Sequence, residues 1–188
     1  MRKLIVSEWI TLDGVFDADP ECFNQWFIPY GSDARAEYIK KIILGCGAFL
    51  MGGATYRELA PYWSALKHNE FDLADKMNNA PKYVVSTTLQ TAEWNNTQKI
   101  IRNNVVEEIA KLKQESGDYI LVPGSATLVQ SLMEGNLIDE YRFLVHPIIM
   151  GRGRRFFKDG MPVRKLNLVE TQPLPLGVTA LFYEPVKN

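Results

Sequence analysis

The sequence predicts an α/β fold: a mixed, mainly parallel sheet with helices on both faces and an antiparallel hairpin at its C-terminal edge. Three observations carry this. The stretch from Tyr119 to Gly153 reads as strand, helix, strand: Tyr119-Ile120-Leu121-Val122, a Pro123-Gly124-Ser125 turn, a helix from Ala126 to Glu134, a Gly135-Asn136 stop, and a strand from Glu140 to Ile149. Apolar Leu128, Val129, Leu132 and Met133 form the 3.6-residue stripe of a helix lying on a sheet, so the second strand returns parallel to the first in a right-handed crossover. Second, Ala48-Phe49-Leu50-Met51 followed by Gly52-Gly53-Ala54-Thr55 and an amphipathic run repeats the strand, glycine, helix order. Third, Leu166 to Pro173 and Val178 to Val186 are joined by Leu174-Pro175-Leu176-Gly177, which reads as an antiparallel hairpin.

Each element has a local reason. Lys3 to Leu12 is rich in β-branched residues and ends at Asp13-Gly14, a strand followed by a turn. Val15 to Gly31 is aromatic and irregular, with Phe16, Phe23, Trp26, Phe27 and Tyr30 beside Asp17, Asp19 and Glu21. So apolar a loop either closes as a lid over a ligand or tucks against the body. Ser32 or Asp33 caps a helix to Gly45 whose buried side is Tyr38, Ile39, Ile42 and Ile43. Tyr56, Leu59, Ala60 and Trp63 mark the next helix, which Pro61 bends or ends. His68 to Asn79 reads as a loop with a short helix, and Lys82 to Ser86 as a core strand ending in Ser86-Thr87-Thr88. Trp94 and Ile100-Ile101 mark an edge strand; Asn103 or Asn104 then caps an exposed helix, and Ser125 and Thr127 cap the one after.

Composition narrows the function. One domain over residues 1–188 is the expectation for this length, and 46% hydrophobic residues supply its core. A net charge of -1 and a pI near 6.2 argue against nucleic acid or an anionic membrane as partner. The N-terminus lacks the pattern of a signal peptide and there is no 18-residue apolar run, so a cytoplasmic protein is expected. Cys22 and Cys46 lack metal-ligand spacing and read as buried thiols, with no metal site.

In an open α/β sheet the site lies at the carboxyl ends of the parallel strands. Those ends carry Thr11 and Asp13, Gly52 to Thr55, Ser86 to Thr88, Gly124 to Thr127, and Pro147 to Arg154. A glycine turn into a helix presents backbone N–H groups at the positive end of the helix dipole, and two such starts suit a ligand with spaced phosphates. Neither GxGxxG nor GxxxxGK[ST] occurs.

The order of these motifs resembles the dihydrofolate reductase-like family, in the branch that contains the C-terminal reductase domain of the bifunctional riboflavin-biosynthesis protein and small stand-alone bacterial homologues. The resemblance rests on Thr11-Leu12-Asp13-Gly14, Met51-Gly52-Gly53-Ala54-Thr55-Tyr56-Arg57-Glu58, Val84-Val85-Ser86, Gly124-Ser125-Ala126-Thr127-Leu128, Gly135-Asn136-Leu137-Ile138-Asp139-Glu140 and Pro147-Ile148-Ile149-Met150-Gly151-Arg152-Gly153, which together span nearly the whole chain. It implies a three-layer sandwich and an NADPH-dependent reductase that transfers a hydride to a small molecule, and a homodimer. By the same resemblance Gly52, Gly53 and Thr55 lie against the adenosine side of NADPH, Ser86 and Thr87 face its 2′-phosphate or adenine, and Gly124, Ser125, Ala126 and Thr127 hold the pyrophosphate. Thr11 and Asp13 are then the catalytic candidates, with Trp26, Phe27 and Asp33 around the substrate.

The chain departs from the family in two places. Gly52-Gly53 stands where Gly-Arg is usual, leaving Arg57, Arg152 or Arg154 as candidate contacts for the 2′-phosphate, and Arg152 at its glycine-flanked strand end is carried as a cofactor residue. Pro123 stands where the riboflavin-pathway domain has an acidic residue. The close alternative is the 5-amino-6-(5-phosphoribosylamino)uracil reductase of riboflavin biosynthesis; a non-catalytic nucleotide-binding protein of the same fold is the other. Plain structural readings stand beside these: Asp13 as a turn former, Asp139-Glu140 as a helix-strand junction, His146 as a packed or hydrogen-bonded side chain.

Overall fold

The computed structural model describes residues 1–17 and 25–186. Asp19, Glu21, Cys22 and Phe23 lie outside the described residues. The strands are β1 (Leu4–Thr11), β2 (Val15–Asp17), β3 (Ala48–Gly52), β4 (Lys82–Val85), β5 (Thr97–Ile101), β6 (Ile120–Pro123), β7 (Glu140–His146), β8 (Arg154–Arg155), β9 (Leu166–Pro173) and β10 (Thr179–Pro185). The helices are α1 (Asp33–Gly45), α2 (Gly53–Ala65), α3 (Ala74–Asn79), α4 (Val105–Gln114) and α5 (Ala126–Glu134).

Eight strands form one sheet in the order β5-β4-β3-β6-β1-β7-β10-β9, and β2 pairs with β8 in a small second sheet. β3 runs parallel to β4 and to β6, and β4 parallel to β5; β10 is antiparallel to both β7 and β9. The expected mixed, mainly parallel sheet with a C-terminal hairpin is therefore present. β6 and β7, the two strands of the strand-helix-strand unit, are not neighbours, because β1 occupies the place between them.

By its internal contacts the chain forms two compact units, one of Met1–Val6 and Ile39–Ile138, the other of Ser7–Tyr38 and Asp139–Asn188. The core of the first is the continuous apolar runs of the parallel strands: Phe49, Leu50, Met51, Val84, Ile120 and Val122 are fully buried. Strands covered on both faces have no need of alternation, and each such side chain contributes about 1.5–3 kcal/mol by burial. Lys82 breaks the pattern. It is fully buried in β4, and its Nζ donates to the carbonyls of Asn78, Ala80 and Asn95 at 2.8–2.9 Å, with the Trp94 ring 4.6 Å away. Burial pulls its ammonium down to about 8, while the three carbonyls tie the end of α3 and the Trp94 turn to the sheet.

Several local expectations are corrected. Of the two expectations for Pro61, that it ends the helix is overturned: it lies inside α2, at an exposed position. Asn104 and Ser125 occupy the positions before α4 and α5, but both are left-handed (φ 51° and 65°) and neither side chain caps its helix. The Ser125 hydroxyl is drawn into a tertiary contact instead. At the end of α5 the left-handed residue is Asn136 (φ 52°), and Gly135 stays right-handed. The β2–β8 pair had no counterpart in the sequence reading, because two or three residues are too few to show a period.

Candidate functional site

In the first unit the parallel pairing of β3 with β4 and β6 brings three carboxyl ends to one edge. Gly52 closes β3, and its N–H donates to Ser125 Oγ at 2.9 Å across 73 residues of chain. Ser125 Oγ–H in turn donates to Thr55 Oγ1 at 2.8 Å. Successive left-handed residues, Gly124 at φ 62° and Ser125 at φ 65°, turn the chain sharply enough to aim this hydroxyl back at β3 rather than along its own helix.

Gly53 opens α2 against Ser86. A Cβ on Gly53 would lie 2.7 Å from Ser86 Oγ and 2.9 Å from its Cβ, so no side chain fits there without moving the end of β4. The usual arginine at this position is therefore excluded by packing. Ser86 Oγ is held by the N–H groups of Leu89 (3.0 Å) and Thr88 (3.3 Å). Arg57, one turn along α2, brings Nη1 to 3.5 Å from that same Cβ position. Gly52, Gly53, Thr55, Ser86 and Ser125 thus form one contiguous cluster, with Gly124 making its turn. Ala126 is buried at the start of α5, and Thr87 and Thr127 are exposed. The first-turn N–H groups of α2 and α5 have no partners within their helices, which suits phosphate oxygens. The hydroxyls of Ser125 and Ser86 act on the protein itself and shape the cradle.

In the second unit Thr11 and Asp13 form a turn. Asp13 Oδ1 accepts from Thr11 Oγ1–H at 2.6 Å and from Met150 N–H at 3.1 Å; Oδ2 accepts from Gly151 N–H at 2.9 Å. Thr11 Oγ1, fully buried, also accepts from Val15 N–H at 2.9 Å. The Thr11 hydroxyl, with help from the two backbone N–H groups, lowers the Asp13 carboxyl to about 2. At neutral pH it is ionised, so it can orient a neighbour but has no proton to give. Arg152 follows on the exposed loop that Asp13 holds.

Trp26 is buried and stands edge-on to His146, with ring centroids 5.1 Å apart. Phe27 stacks on Trp9 at 4.3 Å and carries the Arg35 guanidinium over its ring at 4.1 Å. Asp33 is exposed in the first turn of α1, away from this packing. His146, fully buried, has Nδ1 at 3.4 Å from the Ile10 carbonyl and Nε2 at 3.3 Å from Arg35 Nη1. A carbonyl only accepts and a guanidinium only donates, so the proton is on Nδ1 and Nε2 takes the arginine's hydrogen. Burial, with Arg35 beside it, lowers this imidazole to about 4. It is neutral in use and is not a proton source at neutral pH.

Arg35 escaped the sequence reading, although a signal was there. Counting back from Tyr38, Ile39 and Ile42, it falls on the apolar stripe of α1, where a charge is out of place. No group of three or more His, Cys, Asp or Glu side chains among the described residues is placed to hold a metal ion.

A parallel sheet with glycine-led helices at its strand ends and a C-terminal antiparallel hairpin is the fold of the dihydrofolate reductases. A dihydrofolate reductase from Enterococcus faecalis, solved in complex with NADP(H) and RAB-propyl, superposes with a TM-score of 0.63 at 12% identity, covering 98% of this chain and 97% of that one. A diaminohydroxyphosphoribosylaminopyrimidine deaminase/5-amino-6-(5-phosphoribosylamino)uracil reductase from Thermotoga maritima gives 0.69 at 17% identity, over 98% of this chain and 57% of that longer one. Protein YyaP of Bacillus subtilis is 32% identical over 184 residues, 97% of this chain and 94% of its own length. The sequence pattern of the RibD C-terminal domain matches residues 2–180, and the chain belongs to that family.

Proposed function

We propose that this protein is an NADPH-dependent reductase, a single catalytic domain that transfers a hydride to a small organic substrate. The observation that carries the reading is the cradle at the ends of β3, β4 and β6. Gly52, Gly53, Thr55, Ser86 and Ser125 are locked to one another, and two helix N-termini open beside them. Membership of the RibD C-terminal family supports it, as does the fold shared with a dihydrofolate reductase solved with NADP(H).

In this reading the first turns of α2 and α5 hold the cofactor's phosphates through backbone N–H groups, with Thr55 and Thr127 at their rims and Thr87 toward the adenine end. Arg57 supplies the positive charge for the 2′-phosphate in place of the arginine that Ser86 excludes from position 53. The bound nicotinamide supplies the hydride. The chain's own work is to bind, align and keep water out. Thr11 and Asp13 order the substrate side: the ionised carboxylate holds the 150–151 loop and can polarise a donor on the substrate, half-buried Phe27 offers aromatic surface, Trp26, fully buried, packs edge-on against it, and Asp33 is an exposed carboxylate in the first turn of α1. Neither Asp13 nor His146 carries a proton to give at neutral pH. Arg152, on the loop that Asp13 holds, is the weaker candidate for the cofactor.

The test is titration with NADPH and NADH, followed by quenching of the four tryptophans. Micromolar binding of NADPH, at least about tenfold tighter than NADH, is expected for one charge-assisted contact to the extra phosphate. Absence of binding of either nucleotide at about millimolar concentration overturns the reading. Arg57→Ala should remove most of the preference for NADPH, about tenfold or more, and leave NADH binding unchanged.

The 5-amino-6-(5-phosphoribosylamino)uracil reductase step is the second reading, favoured by the family match over residues 2–180; turnover of that substrate with NADPH decides it. A homodimer through the exposed C-terminal edge belongs to the same proposal. In β9, Leu168 and Val169 are 53% and 59% exposed, and light scattering should give twice the 21.4 kDa chain mass. The cytoplasm, where NADPH is held reduced, is the expected location. Among the described residues no helix is long and apolar enough to cross a membrane.

A further inference from the structure

The chain contains two Asp-Gly dipeptides, Asp13-Gly14 and Asp159-Gly160. An aspartate followed by glycine can cyclise, because with no Cβ on the second residue nothing hinders its backbone nitrogen from reaching the side-chain carbonyl carbon of the first. Both glycines leave that approach clear. Gly14 stands at φ 80° and Gly160 at φ 81°, and a Cβ built on either meets nothing within 4 Å. What separates the two pairs is how their reacting groups are held.

The first pair is locked. Asp13 is half-buried, its Oδ1 accepting from Thr11 Oγ1–H and Met150 N–H and its Oδ2 from Gly151 N–H. Gly14 N–H, which would have to supply the attacking nitrogen, donates to the Thr11 carbonyl at 2.9 Å. Cyclisation there would cost the carboxyl its donors and Gly14 its acceptor. The Thr11 hydroxyl, with the two backbone N–H groups, also holds this carboxyl at about 2, so the neutral acid, the form that a nitrogen attacks, is scarce. The second pair is loose. Asp159 and Gly160 are both exposed, and among the described residues neither the Asp159 carboxylate nor the Gly160 N–H has a hydrogen-bond or ion-pair partner. They form a turn in the irregular stretch between β8 and β9, where every residue from Phe157 to Lys165 is exposed except half-buried Met161. Local rearrangement costs least at such a loop tip.

We propose that Asp159 is a modification site, at which isoaspartate forms spontaneously in the folded protein while Asp13 is spared. The Gly160 nitrogen gives up its hydrogen to solvent and bonds to Asp159 Cγ; the carboxyl hydroxyl leaves with a proton as water, and a cyclic succinimide results. Water then adds to one of the two ring carbonyls. Opening at Cγ restores aspartate, whereas opening at the main-chain carbon leaves the backbone running through Cβ and Cγ beside a free α-carboxylate. One water is lost and one regained, so no oxidant or other reactant is required and mass is unchanged. The isoaspartate is a substrate for an enzyme that methylates that α-carboxylate, which defines the class of partner. The upstream anchor of the loop, Phe156 N–H on the Gly14 carbonyl at 2.9 Å, lies outside the bonds that change. Nothing in this chemistry depends on the reductase reading.

The experiment is to age the intact folded protein in warm, mildly acidic buffer, digest it, and separate the peptides that carry Asp13 and Asp159. Isoaspartate in each is counted by transfer of a labelled methyl group from a purified isoaspartyl methyltransferase. A parallel sample aged in urea gives the rate of each dipeptide without the fold. In the folded protein, conversion at Asp159 should be at least about tenfold faster than at Asp13, since the two carboxyls differ both in their partners and in how readily they protonate. In urea the two rates should be alike. Asp159→Glu, whose longer side chain closes the corresponding ring far less readily, should remove most of the methyl labelling of the folded chain. Conversion at Asp159 no faster than at Asp13 overturns the proposal, as does undiminished labelling in Asp159→Glu. A rate at Asp159 that rises about tenfold or more in urea also overturns it, because the native turn would then be holding nitrogen and carboxyl apart.

Discussion

The glycine-serine cradle of the first unit and the arginine-histidine cluster of the second bury polar groups in opposite ways. In the cradle every polar contact is a neutral one: the Ser125 hydroxyl takes the Gly52 N–H and gives its own hydrogen to Thr55, and Ser86 takes two backbone N–H groups. Such a network costs little once satisfied, and its product is shape. In the second cluster a full charge is buried beside an imidazole that burial holds neutral. The charge is offset only in part, by a carbonyl, a ring nitrogen and an aromatic face. The cradle is fixed by shape beside two helix N-termini; the other cluster holds a full charge with only neutral partners among the described residues.

The sharpest break in that comparison is His146→Ala. It empties the space among Trp26, Phe27 and Tyr30 and takes away one of the two acceptors of Arg35. A loss of about 3–4 kcal/mol in urea unfolding is expected, and a loss below about 1 kcal/mol would show that the imidazole contributes little to the cluster.

Acid should act next, and with a definite sign. His146 titrates near 6.5 in the unfolded chain and near 4 when folded, so between those values the unfolded state carries a proton that the folded state lacks. Stability is therefore complete above about 6.5 and falls as pH drops toward 4, by at most about 3 kcal/mol in all. Asp13 adds its own loss only lower, between its ordinary 3.8 and about 2. Denaturant midpoints measured from pH 7.5 to 4.5 should show the first slope, and His146→Phe should flatten it. A flat profile in the parent protein rules out the neutral buried imidazole.

Gly53→Ala tests the cradle. A methyl 2.7 Å from Ser86 Oγ forces the end of β4 to move, at a cost of about 2 kcal/mol. Adding Ser86→Gly should recover most of it, and failure of that rescue would place the strain elsewhere. The smallest effect is expected of Ser125→Ala, about 1 kcal/mol for the half-buried Gly52 N–H it leaves without an acceptor, read as a shift of a few degrees in melting temperature.

Much of the cradle was legible because its parts obey short-range rules. Apolar runs ending in Gly52-Gly53, Ser86 and Gly124-Ser125 mark strand ends, and strands of one parallel sheet bring such ends together whatever the details between them. The roles of the hydroxyls were not legible. Ser125 stands at a capping position in sequence, yet its left-handed backbone turns the hydroxyl to Gly52 and Thr55, 73 and 70 residues away. In the second unit Trp26, Phe27, Thr11 and Asp13 could be singled out by type and place. Their relation to Arg35 and His146 could not, because 111 residues separate that pair and neither lies in a recognisable motif.

Taken alone, the sequence determined the α/β class, most element positions, the strand ends that form the cradle and the family. These follow from periodicity, turn chemistry and motif order, all read within a few residues. Tertiary structure alone decided that Gly53 must be glycine, that Asp13 is an ionised anchor and that His146 is neutral. It alone decided that Arg35 is a buried charge whose side-chain partners among the described residues are a carbonyl, a ring nitrogen and an aromatic face. Each of these depends on burial and on partners distant in the chain, and a group's charge state and unused hydrogen bonds exist only once those partners are in place.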